Sequence, residues 1–140
     1  MHPRTLNTAN RAANFLGYFS LGLGALEAAA PDALGRTLGL ERHTTLLRLY
    51  GVRELTAGAA ILTQTTTPQW MWARVAGDAM DIATLALALG PQNTKRGNAA
   101  AALAAVVGIT ALDIWTAYQL TRQANDARQP LALRSPESAT

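Results

Sequence analysis

Long apolar stretches broken by single charges run through most of the chain. Four such segments follow one another. The first covers about residues 10–30, behind Asn7 and Thr8, both good N-caps, and stops at Pro31. The second covers about residues 45–64 and carries Arg48, Arg53 and Glu54. The third opens on Thr67-Pro68, a cap followed by proline at the first helical position, and closes on Gly90-Pro91. It carries Arg74, Asp78 and Asp81. The fourth runs from about residue 94 or 97 to Gln123, with Asp113 as its only charge between Arg96 and Arg122. Each is about 20 residues or more, enough to cross a ~30 Å hydrocarbon core. Between the first two, Leu34 and Leu38 stand four apart, which predicts a short amphipathic helix lying at an interface.

A soluble four-helix bundle needs a polar stripe on every helix. From Ala99 to Leu112 the only polar side chain is Thr110, so the fourth segment has no such stripe. The fold expected is therefore all-α: an integral membrane, up-down four-helix bundle with a short interfacial helix between the first two long helices. Residues 1–123 form that domain and residues 124–140 a polar, partly disordered tail. Trp70, Trp72, Trp115 and Tyr118 fall at one end of an antiparallel bundle, as an interfacial aromatic belt does. Segments two and three carry three charges each, so they insert as a pair or with partners.

The embedded charges are the informative feature. At the helical repeat, Arg74, Gly77, Asp78 and Asp81 share one stripe. Ala13, Gly17, Ser20, Gly24 and Glu27 share another, and Gly51, Glu54 and Gly58 a third. Small and polar residues thus face inward, where they let helices approach closely. With a rise of about 1.5 Å per residue, antiparallel threading sorts the charges into levels. Glu27 and Arg48 share the first; Arg53, Glu54 and Asp81 the second, with Asp78 slightly deeper; Arg74 and Asp113 the third. The expected pairs are Glu27–Arg48, Arg53 with Asp78 or Asp81, and Arg74–Asp113, with Glu54 joining the centre. Arginine suits such positions because its planar fork grips a carboxylate with two hydrogen bonds. Three arginines face five carboxylates in this set, an excess of two negative charges. The surplus groups hold protons and link helices, or a cation or ligand compensates them.

Composition narrows the chemistry. The 140 residues include no cysteine, which excludes disulfides, thiolate metal sites and thiol nucleophiles. The two histidines, His2 and His43, lie outside the apolar segments, so neither a zinc nor a haem site is expected. Carboxylates in a bundle are reminiscent of di-iron proteins, but those need Glu-x-x-His pairs, and the arginines here repel a metal. No metal or cofactor is expected. The net charge of +3 comes from scattered arginines without a basic run, which argues against nucleic acid. No cleavable signal peptide is evident. Arg4, Arg11, Arg122, Arg128 and Arg134 flank the termini, against Arg36, Arg42, Lys95 and Arg96 in the first and third loops. That bias favours cytoplasmic termini.

Several quoted elements carry a resemblance: Tyr50-Gly51-Val52-Arg53-Glu54, then Trp72-Ala73-Arg74-Val75-Ala76-Gly77-Asp78 with Asp81, then Thr110-Ala111-Leu112-Asp113. From about residue 10 to 118 the chain resembles a group of small four-pass bacterial membrane proteins of unknown function. Some relatives precede a polyketide cyclase/dehydrase-like domain and lend the group that name. These 140 residues hold no such domain, so the resemblance implies an inner-membrane four-helix protein and no cyclase reaction.

Two functional classes follow. The first is a non-enzymatic membrane module that binds a lipid, a membrane-protein partner or a second copy of itself. There the network of Glu27, Arg48, Arg53, Glu54, Arg74, Asp78, Asp81 and Asp113 fixes helix register. The second is an intramembrane acid–base enzyme acting on an apolar isoprenoid-like or epoxide substrate, with Arg53, Asp78 and Asp81 as the catalytic group. Passage of protons or cations is a further alternative. An enzyme needs a cavity beside those three residues; a module has them packed and mutually paired.

Overall fold

The computed structural model describes residues 3–64 and 67–132. Five α-helices follow in order: α1 (Pro3–Ala29), α2 (Pro31–Leu38), α3 (Thr44–Thr63), α4 (Pro68–Leu87) and α5 (Arg96–Ala132). A single 3₁₀ turn, Glu41–His43, joins α2 to α3. No strand occurs among the described residues, so the fold is all-α.

Local chemistry accounts for most boundaries. Pro31 and Pro68 each open a helix at its first turn, where a missing N–H costs nothing. Gly39 closes α2 in the left-handed conformation at φ 72°, which glycine adopts without a Cβ penalty. α1 begins at Pro3, several residues before the expected start. Asn7 and Thr8 are therefore not caps, and the Thr8 hydroxyl instead donates back to the Arg4 carbonyl at 2.9 Å. α4 ends at Leu87, three residues before Gly90, and unwinds through a series of turns. α5 continues nine residues beyond Gln123 to Ala132, so the first part of the expected polar tail is helical. Residues 133–140, the rest of that tail, lie outside the described residues.

The four long helices run alternately up and down. α1 packs most extensively on α3, and α4 on α5; α1–α5 and α3–α4 contacts are sparser. Two apolar clusters fill the two ends. One joins Ala13 and Leu16 of α1, Ile61 of α3, Met71 of α4, and Ala117 and Leu120 of α5. The other joins Leu38, Leu40, Leu47, Leu85, Ala88 and Ala99, with Leu34 packed on it. The short α2 thus caps the second cluster with its leucines. Asn93 fastens this end, because its side-chain amide donates to the carbonyls of Leu38 (2.9 Å) and Ala88 (2.7 Å). Asn98 donates to Thr37 O at 2.9 Å from the start of α5.

Between the clusters lies a polar layer, and outside the bundle the distribution is reversed. Phe15, Tyr18, Leu49, Val52, Met80, Val107 and Ile114 are exposed, and Leu87 is 84% exposed. By length and apolarity, α5 is the one described helix able to cross a membrane. α3 and α4 fall short of that measure because each carries three charges, all of which except Arg48 turn inward. The aromatic residues expected at one end are found there. Trp70 packs on the first cluster, and Trp72 Nε1 donates to Thr121 Oγ1 at 3.0 Å. The Arg122 guanidinium lies 5.7 Å from the centre of the Tyr118 ring.

Candidate functional site

The polar layer is built around one guanidinium. Arg74 projects from the middle of α4 and is only 2% exposed. Its Nε donates to Asp113 Oδ1 at 3.1 Å and its Nη2 to Asp113 Oδ2 at 3.0 Å. This two-point grip fixes α4 against α5. On its other side, Nη1 donates to Glu54 Oε2 of α3 at 2.7 Å and to the Ser20 hydroxyl of α1 at 2.8 Å. Ser20 in turn reaches the Glu54 backbone carbonyl at 2.8 Å and its carboxylate. One side chain therefore ties all four long helices at a common level. In a low-dielectric interior such a layer is stable only when every member is satisfied, and both carboxylates here have both oxygens engaged.

A second guanidinium extends the layer. Arg53 Nη2 donates to Glu54 Oε1 at 2.9 Å and to Asp81 Oδ2 at 2.8 Å, while Nη1 donates to Gly77 O at 3.0 Å. Its other face covers the Tyr50 ring at 5.0 Å. Gly77 makes this possible, because a Cβ there would come within 2.8 Å of the guanidinium carbon. The Tyr50 hydroxyl pairs with Thr84 Oγ1 at 2.8 Å, one turn further along α4.

Two of the expected pairings are present: Arg53–Asp81 and Arg74–Asp113. Glu54 joins the centre as expected and bridges the two arginines. The pairing Glu27–Arg48 is absent. Arg48 lies on the exposed side of α3, while Glu27 is buried at 6% exposure with its Oε2 unpartnered. The residues buried on α3 are Leu47, Tyr50, Gly51, Glu54, Ala57, Gly58 and Ile61. At 100° per residue, Arg48 stands roughly 120° from the middle of that stripe, on the side away from α4. Arg53 stands roughly 100° to the other side, against α4. Matching by depth alone ignores this rotation.

Removing Arg48 sharpens the charge imbalance. Two guanidiniums now face five buried or half-buried carboxylates, Glu27, Glu54, Asp78, Asp81 and Asp113. Glu54 and Asp113 are fully satisfied. The free oxygens are Glu27 Oε2, Asp78 Oδ2 and Asp81 Oδ1. Asp78 is 3% exposed and sits beside Asp113 and Thr110 of α5.

All three of these residues line cavities. One, of about 130 Å³, has Glu27 and Asp81 in its wall together with Leu23, Leu47, Tyr50 and Val106. The second, of about 170 Å³, has Asp78, Asp81 and Arg74 together with Phe19, Ala105 and Ile109. They share Leu23, Asp81, Ala102 and Val106, so they are two lobes of one cleft between α1 and α5. Ala105, in the wall of the second lobe, is exposed, so this lobe reaches the outer surface. One oxygen each from Glu54, Asp78 and Asp81 lie within 4.8 Å of one another.

Sequence reasoning placed Ser20 and Gly77 on inward stripes but gave them no part in the network. The signal for Ser20 was its phase: it shares a face with Gly17 and Gly24 and falls opposite Glu54. The signal for Gly77 was its place between Arg74 and Asp78, opposite Arg53. The cleft itself had no signal in the sequence. No known protein family, curated protein or solved structure matches the chain.

Proposed function

We propose that this chain is a multi-pass protein of the bacterial inner membrane, with cytoplasmic termini, that binds a small apolar-bodied molecule in the α1–α5 cleft. The observation that carries this reading is the inverted arrangement: ion pairs at the centre and large apolar side chains on the outside. In water, exposed apolar residues on every long helix are a liability that soluble monomers avoid. In lipid the same residues meet their preferred solvent, and charged groups survive only by turning inward and pairing. The Arg74 layer then sets the register of the four helices. The cleft offers apolar walls with a few convergent polar atoms, the usual make-up of a small-molecule site.

Native mass spectrometry of protein extracted gently from its own membranes tests this. A copurifying species of constant mass, lost when Ala105 is replaced by Trp, is the expected result. Recovery of the chain in the soluble fraction, or only as a bare monomer, would overturn the reading.

A second reading has one observation of its own. Asp78 Oδ2 and Asp81 Oδ1 are free beside a cavity that also presents Arg74. That is the arrangement general acid–base chemistry on a bound apolar substrate requires. Here Asp78→Asn leaves binding intact and abolishes turnover, whereas in a pure binding module no turnover exists to lose.

A further inference from the structure

The free oxygens in the cleft all belong to carboxyl groups, which accept once ionised. Among the described residues that line the cleft, no other group has a free donor. The only guanidinium on the cleft, Arg74, gives its Nε, Nη1 and Nη2 to Asp113, Glu54 and Ser20. Arg53 is likewise committed to Glu54, Asp81 and Gly77. The remaining walls are leucine, valine, isoleucine, alanine and aromatic side chains, with Thr84 at one side. Such a site rejects an anion and leaves a neutral apolar body with its polar atoms unanswered.

We infer that the cleft takes an organic cation: a primary ammonium group carried on an apolar chain or ring. This rests on the reading of the cleft as a ligand site and names the ligand's chemistry. A primary ammonium has three N–H donors, and Glu27, Asp78 and Asp81 each carry a buried carboxyl oxygen without a partner. Charge-assisted N–H···O contacts are about 2.8 Å long, so one nitrogen bridges oxygens up to about 5 Å apart. One oxygen of Asp78 and one of Asp81 lie within 4.8 Å of each other, so the two carboxyl groups are close enough to share one nitrogen. Asp81 lies in the wall of both lobes, so a head group at Asp78 and Asp81 places the rest of the molecule along either. A cavity of about 150 Å³ holds a benzene ring; the two lobes, at about 130 and 170 Å³, together accept a body of roughly that size on each side of the head.

A divalent metal fits less well. Calcium takes six to eight oxygen ligands and magnesium an octahedral set. Of the three clustered carboxylates, Glu54 already has both oxygens bonded to arginines, and Asp81 has one. The walls around the rest offer few further oxygens.

The test uses the full chain in lipid nanodiscs with octylamine as the probe, and with octanol and octanoate as controls matched in length. Saturable binding is read by native mass spectrometry and by the shift in melting temperature. Octylamine is expected to bind one per chain at least tenfold more tightly than octanol, with octanoate not bound. Asp78→Asn and, separately, Glu27→Gln each weaken octylamine at least tenfold, and Arg48→Ala leaves it unchanged. Glu27 lies outside the Arg74 layer, so its variant remains informative even where Asp78→Asn unfolds. Equal binding of octylamine and octanol overturns the cation assignment and leaves the ligand site standing. Binding of calcium or magnesium in place of the amine also overturns it. Failure of every probe on the folded protein overturns both the assignment and the site.

Discussion

Helix α1 has two long seams, one with α3 and one with α5, and they are built to opposite ends. Along α3 the backbones touch. A Cβ on Gly24 would lie 2.7 Å from Gly51 O, and one on Gly58 would lie 2.8 Å from Gly17 O. Glycines stand opposite glycines at two successive levels, with Ser20 and Glu54 bonded between them. Along α5 the residues lining the gap are Ala102, Ala105, Val106 and Ile109, with no glycine among them. The seam stays ajar, and the cleft with its three free carboxylate oxygens lies in the gap. Small residues alone therefore do not close a helix pair. Closure requires them on both partners at the same height. On the closed side Ser20 and Glu54 are satisfied, while Glu27, whose Cβ lies against Gly51, keeps an unpartnered oxygen in the wall of the first lobe.

The comparison can be broken at its strongest point first. Arg74→Ala leaves Glu54 and Asp113 buried without their cation, and removing one partner of such a pair costs about 3–5 kcal/mol. Titration with denaturing detergent should show this as the largest loss among the variants. Next, Gly51→Ala places a Cβ 2.5 Å from Ala28 N, where only backbone can yield. A cost of about 1–3 kcal/mol is expected. The same change at Gly108 meets open space, so Gly108→Ala should shift the melting midpoint in the stabilising direction by less than about 1 kcal/mol. A similar loss at both glycines would show that the close α1–α3 approach does not set the cost. Filling the cleft with Ala102→Leu should leave stability within about 1 kcal/mol of the parent while abolishing the ligand binding proposed for it. The smallest effect belongs to Arg48→Ala, within about 0.5 kcal/mol, because its side chain is exposed and unpaired among the described residues.

How far the sequence reaches is visible in the same residues. The five helices and the pairs Arg53–Asp81 and Arg74–Asp113 were legible, because helical phase and rise per residue are local properties; Glu54, expected one level away from Arg74, is bonded to it. Glu27–Arg48 was misread because two residues at one height still need the same azimuth. The α1 start was misplaced because Asn7 and Thr8, strong caps by type, sit behind Pro3, which opens the helix earlier. The width of the α1–α5 gap depends on how three other helix pairs settle, and no window of sequence carries that.

The central claim is that the outer apolar surface faces lipid while the charges pair inside. The chain has no cysteine, so single cysteines can be introduced one at a time without a background. Val52, Met80 and Val107 are each about half exposed. Gln92 is exposed in the turn between α4 and α5. Labelling of these four variants in intact cells with a membrane-impermeant maleimide is the most direct test. Gln92→Cys is expected to react from the outside, and the three mid-helix cysteines only once the membrane is dissolved. Rapid labelling of Val52→Cys, Met80→Cys and Val107→Cys in undissolved membranes, or recovery of all four variants as freely soluble protein, would contradict it.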